Sequence, residues 1–450
     1  MKENNEAIRD ARTLGVPKML LLGVQHMFAM FGATILVPII VSSAYGLPLN
    51  IQTTLFFAGI GTLFFHLCSK LKVPAFLGSS FAFLGGFETI SRMEIYAGRE
   101  PAEKLAYACG GIVVAGLLYL ILALLVKVVG VKKVMRFLPP VVTGPIIICI
   151  GLNLAPSAVS NAAMCWPLAL IALAGIIIFN IWGKGMWKII PILLGEVISY
   201  FAAIIMNASG MTNADGSAIL NFAAIAEAGW VGLPPFQFAK FDISAILVMA
   251  PIAIAAMMEH IGDMSAISAT VGENFMEDPG LHRTLIGDGL ATTLSALFGG
   301  PANTTYGENT GVLVLSRVYD PRVIRLAAIY AVVLGFIPKM AGVIGSMPTA
   351  IVGGISFMLY GMISAIGVRN IVENQVDFTN SRNLIIAAVI LVCGLGFSGG
   401  LTFTVGGTSI TLTALAIAAI AGIVLNAILP GNDYEFGSNP AGDQNRGIHH

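Results

Sequence analysis

The sequence predicts an all-α polytopic membrane protein of about fourteen spans, built as two halves of opposite orientation. Three observations carry that expectation. Of 450 residues, 56% are hydrophobic and 11% charged, against about 25% charged in a soluble domain, and the mean hydropathy is +0.86. Apolar runs of membrane length recur along the whole chain. A short pattern in the first half returns in the second, an odd number of spans later.

The apolar runs of the first half fall at 18–43, 51–69, 73–92, 104–128, 137–155, 166–183 and 187–207. Those of the second fall at 243–268, 281–299, 303–319, 321–343, 345–366, 382–398 and 408–429. An even count puts both termini on one side. If that side is cytoplasmic, Lys18, Lys70, Lys72, Lys127, Lys132, Lys133, Arg136, Lys184, Lys188, Arg283, Arg317, Arg322, Arg325, Arg369 and Arg382 lie inside. The outer loops keep Arg92, Arg99, Lys104, Lys240 and Lys339, a positive-inside bias that supports the even count. The opening MKENNEAIRDARTLGVPK lacks a basic n-region and cleavage site and reads as a cytoplasmic tail. The longest outer connection, about 208–242, is polar with Gly and Pro.

With 24 basic and 24 acidic residues the formal net charge is zero, so nothing electrostatic supports a nucleic-acid partner. Cys68, Cys109, Cys149, Cys165 and Cys393 are far apart with no CxxC pair. They read as small buried hydrophobes, with neither a disulfide nor a metal site expected.

The recurring pattern is FLGSSFAFLGGFETISR, ending at Arg92, and PANTTYGENTGVLVLSR, ending at Arg317. A shift of 225 residues carries Ser79 and Ser80 onto Thr304 and Thr305, Phe81 onto Tyr306, Ala82 onto Gly307 and Arg92 onto Arg317. Spans three and ten therefore share one plan and run in opposite directions, as in the inverted repeats of secondary transporters. Leu84–Arg92 and Asn309–Arg317 are each about 13 Å long as helix, against a bilayer core of about 30 Å. Each span thus starts its helix near the midplane. The Thr- and Tyr-rich Asn303–Gly307, behind a Pro, suits an extended chain better than a helix. Unpaired backbone at that depth survives only inside protein or beside a cavity. Two half-helix N-termini there offer free N–H groups to electron-rich oxygens, which makes the break the candidate binding site.

The acids point to the same place. Glu308 sits at the restart of the tenth span. Glu259 follows about fourteen apolar residues, about 20 Å of helix, and Asp263 lies one turn further on the same face. Two carboxylates so close in a low-dielectric site favour one protonated member, a group able to carry a proton. MEHIGD is not HExxH, so a zinc-protease reading has no ligand pair. His260 reads as a packing residue and Asp288 as a helix cap near the inner end of span nine. His26 bonds the core or lines the pocket. Ala33 lies in a small-residue stretch that permits close helix approach, and Tyr360 offers an aromatic hydroxyl.

The run Glu308-Asn309-Thr310-Gly311, with Ser316-Arg317 closing it, resembles the signature of the nucleobase–ascorbate transporter family. The stretches QHMFAMFGATILVP, PAFLGSSFAF, EHIGD, DPGLHR and NTTYGEN are similar to its uracil-transporting bacterial members, in order along nearly the whole chain. The resemblance implies two inverted repeats of seven segments, with short antiparallel strands in segments three and ten. It divides the chain into a cytoplasmic tail (1–17), core (18–136), gate (137–242), core (243–343), gate (344–430) and a second cytoplasmic tail (431–450). It implies proton-coupled symport of uracil or a related nucleobase across the cell membrane, with a xanthine or purine permease as the alternative. A homodimer, no cofactor beyond the coupling proton and no enzymatic activity are implied too. Carried over residue by residue, Glu259 and Glu308 match the family's base-binding carboxylates, and Phe81 and Gly307 its backbone contacts. Ala33, Ser80, Tyr306 and Tyr360 match the pocket walls, Glu259 with Asp263 the proton path, and Glu308, Asn309, Gly311, Ser316 and Arg317 the signature. Some uracil transporters carry His where this chain has Asp263, which argues against an imidazole relay. A sulfate-permease-type anion carrier would favour a positive pocket without two deep acids. A membrane enzyme would need a motif such as an Asp-rich diphosphate site or a Ser/His pair, and none is found.

Overall fold

A computed structural model describes residues 7–397, 399–405, 408–431 and 434–436. The N-terminal six residues and most of the tail expected at 431–450 lie outside that description. The described residues are 71% helical. The first half comprises α1 (Val16–Ser43), α2 (Ile51–Cys68), β1 (Leu77–Ser79), α3 (Leu84–Arg92), α4 (Pro101–Val129), the short α5 (Val131–Met135), α6 (Pro140–Ala162), α7 (Trp166–Trp182), the short α8 (Met186–Ile189) and α9 (Pro191–Ala208). A loop carrying the short α10 (Ala223–Glu227) leads to α11 (Ile243–Met249) and α12 (Ile252–Val271). Then come α13 (Leu281–Leu297), β2 (Asn303–Thr305), α14 (Glu308–Ser316), α15 (Pro321–Gly335), α16 (Pro338–Gly345), α17 (Thr349–Glu373), α18 (Ser381–Gly396), β3 (Leu401–Val405), β4 (Thr408–Leu412) and α19 (Ala414–Ile428). Among the described residues seven helical stretches are long and apolar enough to cross a membrane, α11–α12 counting as one.

Local chemistry sets the ends. Asn50 accepts from the Thr53 N–H to cap α2, and Thr413 accepts from the Ala416 N–H to cap α19, each satisfying a donor the helix leaves open. Pro stands in the first turn of α1, α4, α6, α7, α9, α15 and α16, where its missing N–H costs nothing.

Two expected spans differ. The run 321–343 is not one helix: α15 and α16 meet at 87°. Pro338 cannot continue the ladder, and Phe336 at the corner packs edge-on against Phe56, with centroids 5.6 Å apart. The run 408–429 begins as a strand. Leu401 to Val405 pair antiparallel with Leu412 to Thr408, and Thr402 and Thr411 hydroxyls meet across the pair at 2.9 Å. Alternating β-branched residues favour that hairpin over helix. The connection 208–242 also has order: Gly232, Gln237, Ala239 and Lys240 donate backbone N–H bonds to Phe336, Phe298, Leu297 and Ala106.

Deep in the core, β1 pairs antiparallel with β2 in the register Leu77↔Thr305, Gly78↔Thr304, Ser79↔Asn303. The ladder extends by Ser80 N–H to Ala302 O at 2.8 Å and Tyr306 N–H to Phe76 O at 3.1 Å. Side chains serve the outer edges. Thr62 Oγ1 accepts from the Leu77 N–H at 2.8 Å, Thr292 Oγ1 donates to Asn303 O at 2.7 Å, and Asn303 Nδ2 donates to Phe57 O at 3.0 Å. Tyr306 lays its ring on Gly78 and donates its hydroxyl to Ser79 O at 3.1 Å.

Residues 8–14 strap the ends of α12, α14 and α15 together. Ile8 N–H donates to Arg317 O at 2.8 Å, and Ile8 O accepts from the Tyr319 N–H at 2.9 Å. Arg9 pairs with Glu273, Ala11 N–H donates to Asp320 Oδ2 at 2.7 Å, and Arg322 Nη1 lies 3.0 Å from Asp10 Oδ1. The Arg12 side chain, bonded to Asp10, lowers that carboxyl to about 2.

Two outcomes follow from these contacts. A Cβ on Gly78 overlaps the Tyr306 ring, so Gly78→Ala lowers stability by about 1–3 kcal/mol, read as a lower Tm in detergent. Gly85→Ala, whose Cβ meets nothing, is neutral or slightly stabilising. Because the Asp10 carboxyl is held below its ordinary 3.8 at about 2, its part in the strap is fully present above the ordinary value and is lost as pH falls through the depressed one. Hydrogen exchange of residues 8–14 against pH checks this, with protection expected to persist at about pH 4.

Candidate substrate site at the crossed half-helices

The strand pair brings the starts of α3 and α14 to one place. A single turn of 3-10 helix, Phe81–Phe83, carries β1 into α3, whereas β2 reaches α14 through Tyr306 and Gly307 alone. Both half-helices are nine residues long, Leu84–Arg92 and Glu308–Ser316. Helices α1 and α12 pack across both breaks.

Helix α12 supplies the acids. Asp263 is buried, accepts from Thr305 Oγ1 at 3.0 Å, and lies so close to Gly307 that an added Cβ would stand 2.6 Å from its Oδ1. A side chain at 307 would have to displace that carboxyl. Glu259, one turn earlier, is half-buried with Oε2 enclosed. Phe81 and Tyr360 meet edge-on with centroids 5.9 Å apart, so the turn before α3 touches α17. Ala33, Ser80, Phe81, Tyr306 and Tyr360 are all buried. The Ser80 hydroxyl is enclosed with no hydrogen-bond partner among the described residues, an orphaned polar atom suited to a polar ligand. The Tyr306 ring is committed to Gly78 and Ser79. The backbones of Glu308 and Asn309 open α14, and their side chains lie outside the described residues. Gly311 lines a cavity, while Ser316 and Arg317 end the half-helix, Arg317 in the left-handed region at φ 53°.

That cavity, about 340 Å³, reaches from Gly307, Gly311 and Val312 past Ala29 and Met30 of α1 to Ile192 of α9, Met362 and Ile366 of α17, and the basic Lys188 and Arg369. Arg369 is exposed, so the path connects the break with one surface of the protein.

Two sequence readings are corrected here. His260 is not mere packing: its Nδ1 lies 2.9 Å from Asp288 Oδ2, and both side chains are wholly buried. Its Nε2 lies 3.0 Å from Thr284 Oγ1, which itself donates to Leu281 O and so accepts from the ring. Asp288 is not a cap. It sits in mid-α13, and the pair reaches β2 through Thr305 Oγ1, 3.3 Å from His260 Nδ1. Asp288, His260, Thr305 and Asp263 form a polar seam behind the strand. The signal was present in the apolar surroundings of Asp288, since a buried carboxylate is seldom idle at depth. Glu196 of α9, buried at 6% exposure, also went unread in PILLGEVISY.

The sequence pattern of the permease family matches residues 17–402. The chain belongs to this family, the nucleobase–ascorbate transporters. It is 40% identical over 439 residues to a uracil permease of Bacillus caldolyticus, covering 94% of each. It is 39% identical over 448 residues to the uracil permease of Bacillus subtilis, covering 95% of this chain and 96% of that one. The transmembrane domain of the cyanobacterial bicarbonate transporter BicA shares the fold with a TM-score of 0.61 at 18% identity, over 92% of this chain and 99% of that one. Family and fold together make the chain a multi-pass membrane permease, and membership agrees with a site built on broken helices at depth.

Proposed function

We propose that this permease carries uracil into the cell with a proton, by alternating access at the crossed half-helices. The relatives of highest similarity named above are uracil permeases. The observation that carries the mechanism is the β1–β2 pair with two nine-residue half-helices starting beside α12 and its acids. In this reading fourteen segments form two inverted repeats of seven, with both termini cytoplasmic and two copies forming a dimer. Segments one to four and eight to eleven make the core, and five to seven and twelve to fourteen the gate.

The chemistry of the base fits such a site. Uracil is flat and neutral, with two N–H donors and two carbonyl acceptors. Glu259 and Glu308 accept from the N–H groups, and backbone N–H groups at Phe81 and Gly307 donate to the carbonyls. Phe81 and Tyr360 bound the ring, with Ala33, Ser80 and Tyr306 completing the walls. A site so paired rejects bases that leave a buried polar group without a partner. The proton resides on Glu259, with Asp263 as its neighbour. The cavity between Gly307 and Arg369 is the inward path, on the side richer in Lys and Arg.

Radiolabelled uracil uptake into proteoliposomes tests this reading. Uptake is expected to exceed the equilibrium level only with an inward proton gradient and to be competed by unlabelled uracil more strongly than by xanthine. Competition in the reverse order would turn the reading to a purine permease. Glu259→Gln is expected to abolish accumulation against the gradient. Gly307→Ala, which drives a Cβ against Asp263 Oδ1 and Ile366, is expected to weaken uracil binding at least about tenfold, or about 1.4 kcal/mol, in a direct binding assay.

A further inference from the structure

The acids of the substrate site all stand on the proposed core. Glu196 stands on α9, in the proposed gate, and nothing above uses it. Its side chain is 6% exposed. Among the described residues its carboxyl has no hydrogen-bond or ion-pair partner, while its backbone carbonyl accepts from Ser199 Oγ at 3.0 Å. It faces α1: a Cβ built on Gly32 would lie 2.9 Å from Glu196 Oε1 and 2.5 Å from Ile192 Cγ2. The carboxyl is thus pressed onto the one residue of that stretch without a side chain, next to Ala33. Ile192, one turn earlier on α9, lines the inward cavity, so Glu196 lies just beyond the wall of the path.

The groups around it do not offer a counter-charge. Helix α7 has no titratable side chain. Helix α1 brings Lys18 and His26, the nearer six residues from Gly32 in sequence. Helix α17 brings Tyr360, Arg369 and Glu373, the last two paired with each other. Helix α8 brings Lys188. On α9 itself Tyr200 is bonded to Ser346 at 2.7 Å. A buried carboxylate without a partner is costly. An aliphatic side chain would stabilise the contact more. A carboxyl is of use there only if another state of the protein wets it.

We propose that Glu196 is a second proton-binding residue of the carrier, on the gate: protonated while α9 packs on Gly32, and ionised, its proton released to water, when α1 slides away. It then sets the pH dependence of the conformational step, while the α12 acids set that of substrate binding. This rests on the alternating-access reading above, in which α1 and α9 belong to bodies that move past each other.

The test compares wild type, Glu196→Gln and Glu196→Asp in proteoliposomes from about pH 6 to 9. Glu196→Gln is expected to keep its uracil Kd within about twofold, because the residue lies outside the proposed binding site. The wild-type maximal exchange rate is expected to fall by up to about tenfold per pH unit beyond the titration of this carboxyl. Glu196→Gln should lose that limb, and Glu196→Asp should retain it, displaced. A Glu196→Gln carrier with the wild-type pH profile overturns the proposal. A second readout needs neither substrate nor the Gln variant. Infrared difference spectra of the wild type against pH should show a protonated-carboxyl stretch that Glu196→Asp shifts, and a spectrum unchanged by that substitution overturns it equally. Failure of the uracil reading would instead appear as a wild type that takes up no uracil.

Discussion

Every polar backbone group placed inside a bilayer needs a partner within the protein, and the whole centre of this molecule follows from meeting that need without a continuous helix. Two segments give up their helical ladders at β1 and β2. The exposed amides and carbonyls are paired first with each other, in three residues of antiparallel strand, and then with Thr62, Thr292 and Asn303 at the edges. A strand so short has almost no stability of its own. It persists because leaving any one of these groups unpaired at that depth costs about 1–3 kcal/mol or more. The arrangement fixes where the two helices restart, and so where their unpaired N–H groups converge. The steric fit of Gly78 under Tyr306 and of Gly307 against Asp263 belongs to the same constraint.

The buried acids divide by how they are held. Asp263 takes a hydroxyl donor from the strand, and Asp288 takes the His260 ring at ion-pair distance. Thr305 stands between them. Breaking a buried pair of this kind is far more damaging than never having built it, so the seam fixes the strand's position more than it adds net stability. The chain lacks an imidazole at 263, where some uracil transporters have one. It carries His260 on the same helix, turned toward α13 and away from the α14 break. Residues with separate partners can change protonation separately, which a transporter needs if binding and movement are to be distinct steps.

Much of this was legible in the sequence. The restart of the tenth span could be read from Pro301, the Thr- and Tyr-rich stretch and the nine residues to Arg317, because chain length against bilayer thickness is simple geometry. The matching break in span three was legible through the 225-residue shift, though no single shift fits the observed elements. The strands begin 226 residues apart and the helices 224, because the first half spends extra residues on the turn Phe81–Phe83. The hairpin 401–412 was missed because its alternation is short and embedded in apolar sequence, where strand and helix patterns converge. Asp288 was misplaced because depth along α13 depends on where that helix starts relative to the surface. The partner of His260 lies 28 residues away on another helix, which no periodicity reveals.

The contrast between the cavity and its inner end bears on how such a site releases what it holds. The walls from Ala29 and Met30 to Val312, Met362 and Ile366 are apolar. Between the break and the basic Lys188 and Arg369 these walls offer a planar polar molecule no side chain to bond. Beside the break, where the backbone is interrupted, stand Asp263, Glu259 and the Ser80 hydroxyl. A ligand held there by several directional bonds is released when one of them is lost, because a paired set strands its remaining polar partners once broken. Protonation or deprotonation of one acid is the smallest change able to do this. Under the proposed proton coupling, the acids beside the break are the groups placed to make that change.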